Sequence, residues 1–286
     1  MTGASVREAL ESAIDGLRAA GIEDPRLDAE LLLGEAMGCE RAALMADSGA
    51  EVPAQAARAF GEMVRRRLRR EPVAYILGRK GFRSLELAVD RRVLIPRPET
   101  ELLVELALEL APATVLDVGT GSGAIALAVA DELPECALTA TDTSPGALEV
   151  ARANADRLGF ADRVRFLEAT LPGDDGFDLV LANLPYVAER DWPSLQPEVT
   201  QWEPREALLA GADGLDAYRA LVSECGRAFP SHRGKSSAAV AVEVGEGQAE
   251  AVGALMREAG FGSIETRRDL AGIERIVVGR VEERRD

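Results

Sequence analysis

Beyond residue 113 the sequence alternates short apolar runs with stretches of helical periodicity, and this alternation constrains the fold more than any other feature. The apolar runs have the length of buried strands and lie at residues 114–117, 137–141, 164–167, 177–182 and 238–244, with closing strands near 264 and at 276–278. Helical spacing follows at residues 124–133, 145–158, 215–228 and 248–259. Repeated strand–helix–strand units place successive strands parallel. The sequence therefore predicts an α/β fold with a doubly wound, mainly parallel sheet.

Two further regions precede this alternation. Residues 1 to about 70 place apolar side chains at helical spacing, which predicts a small all-α domain. The next stretch reads as short strands at residues 73–78, 81–82, 85–89 and 93–95, separated by turn residues, and predicts a β-hairpin linker. Pro96 and Pro98, followed by acids, predict a helix start that runs to about Leu110. We expect domains at residues 1–71, 72–97 and 98–286.

Composition restricts the function. The 286 residues carry a net charge of −16, which argues against a protein that grips nucleic acid through its phosphates. The start of the chain lacks the pattern of an export signal, and no apolar run approaches the roughly 18 residues of a membrane span. The scattered Cys39, Cys136 and Cys225 fit a reducing cytoplasm and no cysteine zinc site. We expect His232, the single histidine, to be a loop residue, and the basic run 65–70 to be a solvated helix face rather than a contact patch.

A glycine-rich turn follows the first strand of the alternation. It reads Asp117-Val118-Gly119-Thr120-Gly121-Ser122-Gly123, and ligands of open α/β sheets bind at this end of the strands. Its G-x-G-x-G spacing differs from the G-x-G-x-x-G of dinucleotide enzymes. The acid two residues before the first glycine, Asp117, suits a methyl donor that is a sulfonium amino acid with a free ammonium group. Asp142 ends the second strand, where it can accept hydrogen bonds from two ribose hydroxyls or merely cap the strand. We predict that this methyl donor is the cofactor and that six residues bind it: Gly119, Thr120, Gly121, Ser122, Gly123 and Asp142.

The fourth strand runs into Asn183-Leu184-Pro185-Tyr186. An amide nitrogen is a poor nucleophile that needs orientation rather than a strong base. The Asn183 side-chain oxygen and the Leu184 carbonyl can each accept one of its N–H groups, and Tyr186 can stack on the planar group. Such a cradle would hold a planar nitrogen while it attacks a methyl group. An ordinary proline turn after a strand would explain the tetrapeptide alone. It would not explain why the tetrapeptide, the glycine loop and Asp142 are all predicted at the same edge of the sheet.

Together these motifs resemble the Rossmann-like class I methyltransferases that use S-adenosylmethionine. Further segments narrow the resemblance to the protein-(glutamine-N5) methyltransferases that act on peptide chain release factors. The segments are Pro-Val-Ala-Tyr-Ile-Leu-Gly at 72–78, Leu-Ile-Pro-Arg-Pro-Glu-Thr-Glu at 94–101, Glu-Pro-Arg-Glu-Ala-Leu at 203–208, Gly-Leu-Asp at 214–216 and Asp-Leu-Ala-Gly at 269–272. The resemblance covers nearly the whole length.

The resemblance implies a substrate, a site and partners. The substrate would be the glutamine of a Gly-Gly-Gln loop in the release factor, and S-adenosylmethionine would be the methyl donor. Asn183, Pro185 and Tyr186 would be catalytic; Asn183 would also touch the donor, and Leu184, Pro185 and Tyr186 would line the glutamine pocket. The helical domain would dock the release factor. The resemblance further implies a cytoplasmic monomer with no metal and no direct contact with nucleic acid or membrane.

The sequence departs from the family pattern in two places. Leu184 stands where the family usually has a first proline; the backbone carbonyl survives, but the fixed φ of proline is lost. The stretch after the third strand reads Glu-Ala-Thr-Leu-Pro at 168–172, so a carboxylate near the adenine is missing at Thr170, although Leu171 could still pack there.

Three other functions remain open on these residues. A ribosomal RNA adenine-N6 dimethyltransferase also fits Asn-Leu-Pro-Tyr, but the acidic charge and the preceding helical domain count against it. A donor-binding protein without catalysis would be expected to have a broken glycine loop or to lack Asn183. NAD-dependent oxidoreduction is disfavoured by the glycine spacing and by the lack of a histidine acid or base.

Overall fold

The computed structural model describes residues 3–170, 176–228 and 238–281, and the chain divides into two compact units. The first unit comprises Met1–Arg79 together with the short segment Gln196–Trp202. The second comprises Lys80–Leu195 and Glu203–Asp286.

The first unit is built from helices around one apolar cluster. Its helices are α1 (Val6–Ala19), α2 (Pro25–Met37), α3 (Arg41–Ala46), α4 (Ala54–Leu68), α5 (Val73–Leu77) and the later α9 (Pro197–Trp202). Ser5 and Glu8 form a reciprocal capping box that starts α1. The apolar positions of α1 recur at helical spacing, and Leu10, Ile14 and Leu17 are buried in the cluster. The small all-α region predicted from periodicity is confirmed.

The strand predicted at residues 73–78 is wrong, because these residues form helix α5. The helix starts after Pro72, whose carbonyl accepts the amide N–H groups of Tyr75 and Ile76, and it ends at Gly78 with a left-handed φ of 72°. A short apolar run does not distinguish a buried strand from a buried helical turn. Here the helical conformation is favoured because it buries Ile76 in the apolar cluster of the first unit.

The basic run at the end of α4 is solvated at Arg65 and Arg69, as expected from its composition, but not along its whole length. Arg67 is buried, and its guanidinium contacts Asp28 at 2.6 Å and Glu198 at 2.8 Å. Arg70 reaches the second oxygen of Glu198 at 2.6 Å. Buried charges of this kind are found paired, since an unpaired charge away from water is costly. Arg67 and Arg70 therefore hold segments of the first unit together.

The second unit contains a hairpin and a large sheet. The strands are β1 (Arg79–Phe82), β2 (Leu85–Ala88), β3 (Thr114–Val118), β4 (Ala137–Asp142), β5 (Val164–Glu168), β6 (Leu179–Ala182), β7 (Ala239–Glu243), β8 (Ser263–Arg268) and β9 (Glu274–Arg280). Strands β1 and β2 pair alone, and the other seven have the order β5-β4-β3-β6-β7-β9-β8. All neighbours are parallel except β9, which runs antiparallel to β7 and β8. The mainly parallel sheet is confirmed.

Helices cover both faces of this sheet, as a doubly wound fold requires. They are α6 (Glu101–Leu110), α7 (Ala124–Glu132), α8 (Pro145–Leu158), α10 (Asp216–Ala228) and α11 (Ala249–Glu258). One apolar cluster joins α6 and α7 to alternate strand residues such as Val115, and the other joins α10 and α11 to the intervening ones such as Leu116. Among the residues that the structure describes, no helix has the length and apolarity needed to cross a bilayer.

The strand predicted at residues 93–95 is also wrong. Val93 donates its N–H to the Asp90 carbonyl in a turn, and Ile95 donates its N–H to the Glu203 side chain. Pro96 comes next in the chain and has no N–H group to donate to a neighbouring strand. The segment is therefore an irregular stretch held by a side chain, and it runs into the helix start predicted before α6.

Candidate active site

Three neighbouring strands bring the functional residues to one edge of the sheet. Strand β6 pairs with β3 on one side and β7 on the other, with Ala182 opposite both Val118 and Val242. The residues that come next along the three strands are Gly119, Asn183 and Glu243. Parallel pairing in this register sets the glycine loop, the Asn-Leu-Pro-Tyr segment and a buried carboxyl side by side.

A cavity opens at this edge, and residues of the second unit line it. Its lining includes many of the residues predicted from sequence, namely Gly119, Thr120, Gly121, Ser122, Asp142, Asn183, Leu184 and Pro185. Val93, Leu94 and Pro96 line it from the irregular segment. Gly123 and Tyr186, both predicted for the site, are not part of the lining.

The glycine loop is shaped by left-handed backbone and anchored to β4. Gly119, Gly121 and Gly123 have φ angles of 73°, 56° and 85°, which other residues adopt only with strain. The N–H groups of Gly119 and Thr120 both donate to the Thr141 carbonyl at 2.9 Å. A Cβ added at Gly121 would meet no atom within 4 Å, whereas one at Gly123 would lie 2.9 Å from Leu127 Cδ1. Gly121 thus leaves room for a ligand, and Gly123 allows close packing of α7.

Asp142 presents an oriented carboxylate to the cavity. Its Oδ2 accepts the Gly121 N–H at 3.0 Å and its Oδ1 accepts the Ser144 N–H at 2.9 Å. Each carboxylate oxygen can accept more than one hydrogen bond, so lone pairs remain for a ligand. A half-buried, fixed carboxylate beside an uncrowded glycine fits a ligand that carries neighbouring hydroxyls. The residues present therefore suit the ribose of the methyl donor.

Asp117 lies behind the loop instead of in the cavity. It is fully buried, and its Oδ2 accepts hydrogen bonds from the Thr120 hydroxyl at 2.6 Å and the Ala126 N–H at 3.2 Å. Its Oδ1 has no partner in the described part of the chain. Burial raises the pKa of Asp117 to about 7, against the effect of its hydrogen bonds. The structure gives this acid a structural position, since it ties the loop to the start of α7.

Asn154 on α8 was not singled out from the sequence. It is fully buried, donates to the carbonyls of Ser122 and Ala88 at 2.9 and 3.0 Å, and accepts the Ala88 N–H at 2.7 Å. One carboxamide therefore satisfies both the hairpin strand β2 and the glycine loop. No local pattern marks such a residue, because its partners are distant in sequence.

Asn183 is held in one orientation. Its Nδ2 donates to Thr100 Oγ1 at 2.9 Å, and Thr100 Oγ1 donates to Glu243 Oε2 at 2.6 Å. No residue in the described ranges bonds to Asn183 Oδ1 or to the Leu184 carbonyl, so both acceptors of the predicted cradle are open. A Cβ on Gly119 would lie 3.2 Å from Leu184 Cδ2. The Asn183-Leu184 segment and the glycine loop therefore lie side by side, with no room for a larger side chain at Gly119.

Tyr186 is placed beside the cavity rather than in its lining. It is half-buried against the apolar cluster of α10 and α11, and burial raises the pKa of its hydroxyl to about 12, helped by the Glu243 charge. Its carbonyl accepts from Gln248 Nε2 at 2.9 Å, and Gln248 Oε1 accepts the Gly245 N–H at 3.0 Å. Gln248 is a further residue that the sequence did not point to. Stacking of Tyr186 on a substrate stays a prediction.

Glu203 joins two of the segments that carried the family resemblance. It is buried, accepts the Ile95 N–H at 3.2 Å and bonds to the Arg97 guanidinium. The Ile-Pro-Arg-Pro and Glu-Pro-Arg segments therefore hold each other in place along the cavity. Their shared occurrence was visible in the sequence, but their contact was not.

The end of the cavity predicted to receive the adenine is described up to Thr170. Ala169 and Thr170 line it after β5, and Thr170 accepts the Thr141 hydroxyl on its carbonyl at 3.2 Å. Leu171, Pro172 and His232 lie outside the described residues. In the ranges that the structure covers, no three side chains of histidine, cysteine, aspartate or glutamate gather as they would around a metal ion.

Known proteins and family models that are similar to this chain are methyltransferases. The profile described as PrmC N-terminal domain matches residues 8–78, and the one described as methyltransferase domain matches residues 115–202. A release factor glutamine methyltransferase from Geobacter sulfurreducens is 41% identical over 282 residues, which covers 97% of each chain. One from Bordetella pertussis is 45% identical over 265 residues, covering 89% of this chain and 94% of that protein.

Solved structures show the same fold. A methyltransferase from Pyrococcus furiosus superimposes with a TM-score of 0.50 at 16% identity, over 70% of this chain and 90% of that chain. The near full-length relatives show that the chain belongs to the release factor glutamine methyltransferase family.

Proposed function

We propose that this chain transfers the methyl group of S-adenosylmethionine to the side-chain nitrogen of the glutamine in the Gly-Gly-Gln loop of peptide chain release factors. The observation that carries the proposal is the pair of open acceptors, Asn183 Oδ1 and the Leu184 carbonyl, next to the glycine loop. A primary carboxamide has two N–H groups in one plane, and this pair of acceptors suits both.

The donor would lie along the glycine loop. Asp142 would accept the ribose hydroxyls, Gly121 would allow close backbone approach, and Ala169 and Thr170 would border the adenine. When bound, S-adenosylmethionine supplies a methyl carbon made electrophilic by a positively charged sulfur. Because the Leu184 side chain lies beside Gly119, a methyl group near this loop would face the cradle.

The residues of the cradle act by orientation. The two acceptors would fix the glutamine amide plane so that its nitrogen faces the methyl carbon. A nitrogen–carbon bond forms as the carbon–sulfur bond breaks, and the nitrogen then loses one proton. Holding reactants in an attack geometry accounts for roughly 7 kcal/mol or more of barrier in favourable intramolecular cases. No base stronger than water or the Asn183 oxygen is needed, because an amide nitrogen that has gained a methyl group is strongly acidic.

The helical residues 1–71 would dock the release factor, and the reaction would take place in the cytoplasm, where release factors meet ribosomes. The acidic balance of the chain supports a protein substrate over RNA.

The test is mass spectrometry of a release factor after incubation with the protein and S-adenosylmethionine. We expect one added methyl group on the glutamine of the Gly-Gly-Gln loop. A release factor with asparagine at that position is the matched control, since it keeps the loop and removes the acceptor. Methyl groups found only in ribosomal RNA would refute the proposal and favour the adenine-N6 alternative.

A further inference from the structure

We propose that Thr100 and Glu243 are positioning residues that fix the Asn183 carboxamide with its oxygen toward the glutamine, and that they do so only while Glu243 is ionised. The inference rests on the proposed function and deepens it. It concerns the chain of two hydrogen bonds behind Asn183, which run from Asn183 Nδ2 to Thr100 Oγ1 and from there to Glu243 Oε2.

The direction of these bonds follows from hydrogen-bond chemistry. A carboxylate can only accept, so an ionised Glu243 requires the Thr100 hydroxyl to donate to it. That hydroxyl has a single proton and then offers only lone pairs to Asn183. A lone pair accepts from the Asn183 NH₂ group and not from its oxygen. The oxygen must therefore face the cavity, where an amide substrate needs an acceptor.

Protonation of Glu243 removes this constraint. A neutral carboxyl can donate its proton to Thr100, and the Thr100 hydroxyl is then free to donate to the Asn183 oxygen. The Asn183 amide would turn over and present N–H groups to the N–H groups of the substrate. Two donors facing each other do not form a hydrogen bond, so the cradle would lose one of its acceptors.

Burial makes the two protonation states close in energy. Thr100 and Glu243 are 4% and 3% exposed, so neither is reoriented by bulk water. Burial raises the pKa of Glu243 to about 7, while the hydrogen bond from Thr100 works in the opposite direction. The charged and titratable groups that face Glu243 are Glu99, Arg97, Arg275, Tyr186 and Tyr218. Of these, Glu99 raises its pKa further, and Arg275 and Arg97 lower it.

Backbone hydrogen bonds hold Glu243 in place at the end of the chain of hydrogen bonds from Asn183 through Thr100, which we call the relay. The Glu243 carbonyl accepts the Tyr218 hydroxyl at 2.8 Å, and Val244 donates its N–H to the Arg275 carbonyl at 2.7 Å. Ala182 and Val242 are paired directly across β6 and β7, so the next residues, Asn183 and Glu243, start from neighbouring positions. The relay is thus anchored to the hydrogen-bonded edge of the sheet.

The experiment compares methyl transfer to a release factor between pH 5.5 and 8.5 for the unaltered protein and four variants. The kcat of the unaltered protein should decrease as the pH falls through about 7, and this decrease is the acid limb of its pH profile. Glu243→Gln and Thr100→Val should lower kcat about tenfold or more at pH 8 and lose that acid limb, with the dissociation constant of S-adenosylmethionine within about twofold. Thr100→Ser keeps the hydroxyl and should restore both kcat and the limb. Glu132→Gln, which removes a carboxylate paired with Arg83, is the control and should leave the pH profile unchanged.

A second readout does not depend on turnover. In ¹⁵N-labelled protein the Asn183 side-chain NH₂ signals, assigned by their loss in Asn183→Ala, should shift with pH through the same midpoint. Thr100→Val should abolish that shift. If Glu243→Gln or Thr100→Val keeps the full kcat and the acid limb, or if the amide signals do not titrate, the relay is overturned. A protein whose amide signals titrate but which transfers no methyl group would instead overturn the proposed function alone.

Discussion

Replacing Asp117 by Asn should change how the stability of the second unit depends on pH. Asp117 is fully buried, one of its oxygens has no partner in the described chain, and its pKa is raised from 3.8 to about 7 by burial. Between these two values the folded state keeps a proton that the unfolded state has lost. The free energy of unfolding contributed by Asp117 therefore falls as pH rises through this window, and it is flat above it.

The size of the effect follows from the shift. Each pH unit inside the window corresponds to about 1.4 kcal/mol, so the contribution of Asp117 should fall by roughly 3 kcal/mol from pH 5 to pH 7 as an upper estimate. Asn cannot ionise, and its oxygen can still accept from Thr120 and Ala126. Compared with the unaltered protein, Asp117→Asn should thus gain stability by this amount between pH 5 and pH 8.

The assay is urea denaturation at pH 5, 6, 7 and 8, followed by circular dichroism. Taking the difference between the two proteins at each pH cancels the titration of all other carboxyl groups. Asp162→Asn removes the same charge from an exposed position of the second unit and is the control. A difference between Asp117→Asn and the unaltered protein that is the same at every pH would refute the reasoning that burial holds the proton on Asp117.

Three further substitutions test the site and its loop. Asn183→Ala should lower single-turnover rates about 100-fold with little change in donor affinity, because an acceptor of the cradle is lost; an unchanged rate would remove the cradle. Asp142→Ala should weaken donor binding about tenfold or more, since charge-assisted hydrogen bonds contribute roughly 1.5–3 kcal/mol, and equal affinity by calorimetry would exclude its ribose role. Gly123→Ala should lower the free energy of unfolding by more than Gly159→Ala, because their φ angles of 85° and 82° are alike but only Gly123 is crowded, 2.9 Å from Leu127 Cδ1; equal losses in urea would contradict this.

The sequence alone determined the α/β class, the positions of most strands and the two motifs at the sheet edge. These follow from local signals: the length of apolar runs, the 3.6-residue period and the punctuation by glycine and proline. The same signals failed at residues 73–78 and 93–95. There a short apolar run is equally compatible with helix, strand or irregular backbone, and the choice depends on what buries Ile76 or bonds to Ile95.

Only the tertiary structure decided how the cradle is held. The sequence pointed to Asn183 and Asp142, but the orientation of each comes from partners elsewhere in the chain, Thr100 and Glu243 for the first and the loop N–H of Gly121 for the second. It also moved Asp117 from the cavity to the support behind it. A hydrogen bond depends on distance and direction within tenths of an ångström, and residues as distant in sequence as Thr100, Asn183 and Glu243 acquire such geometry only through the register of packed strands.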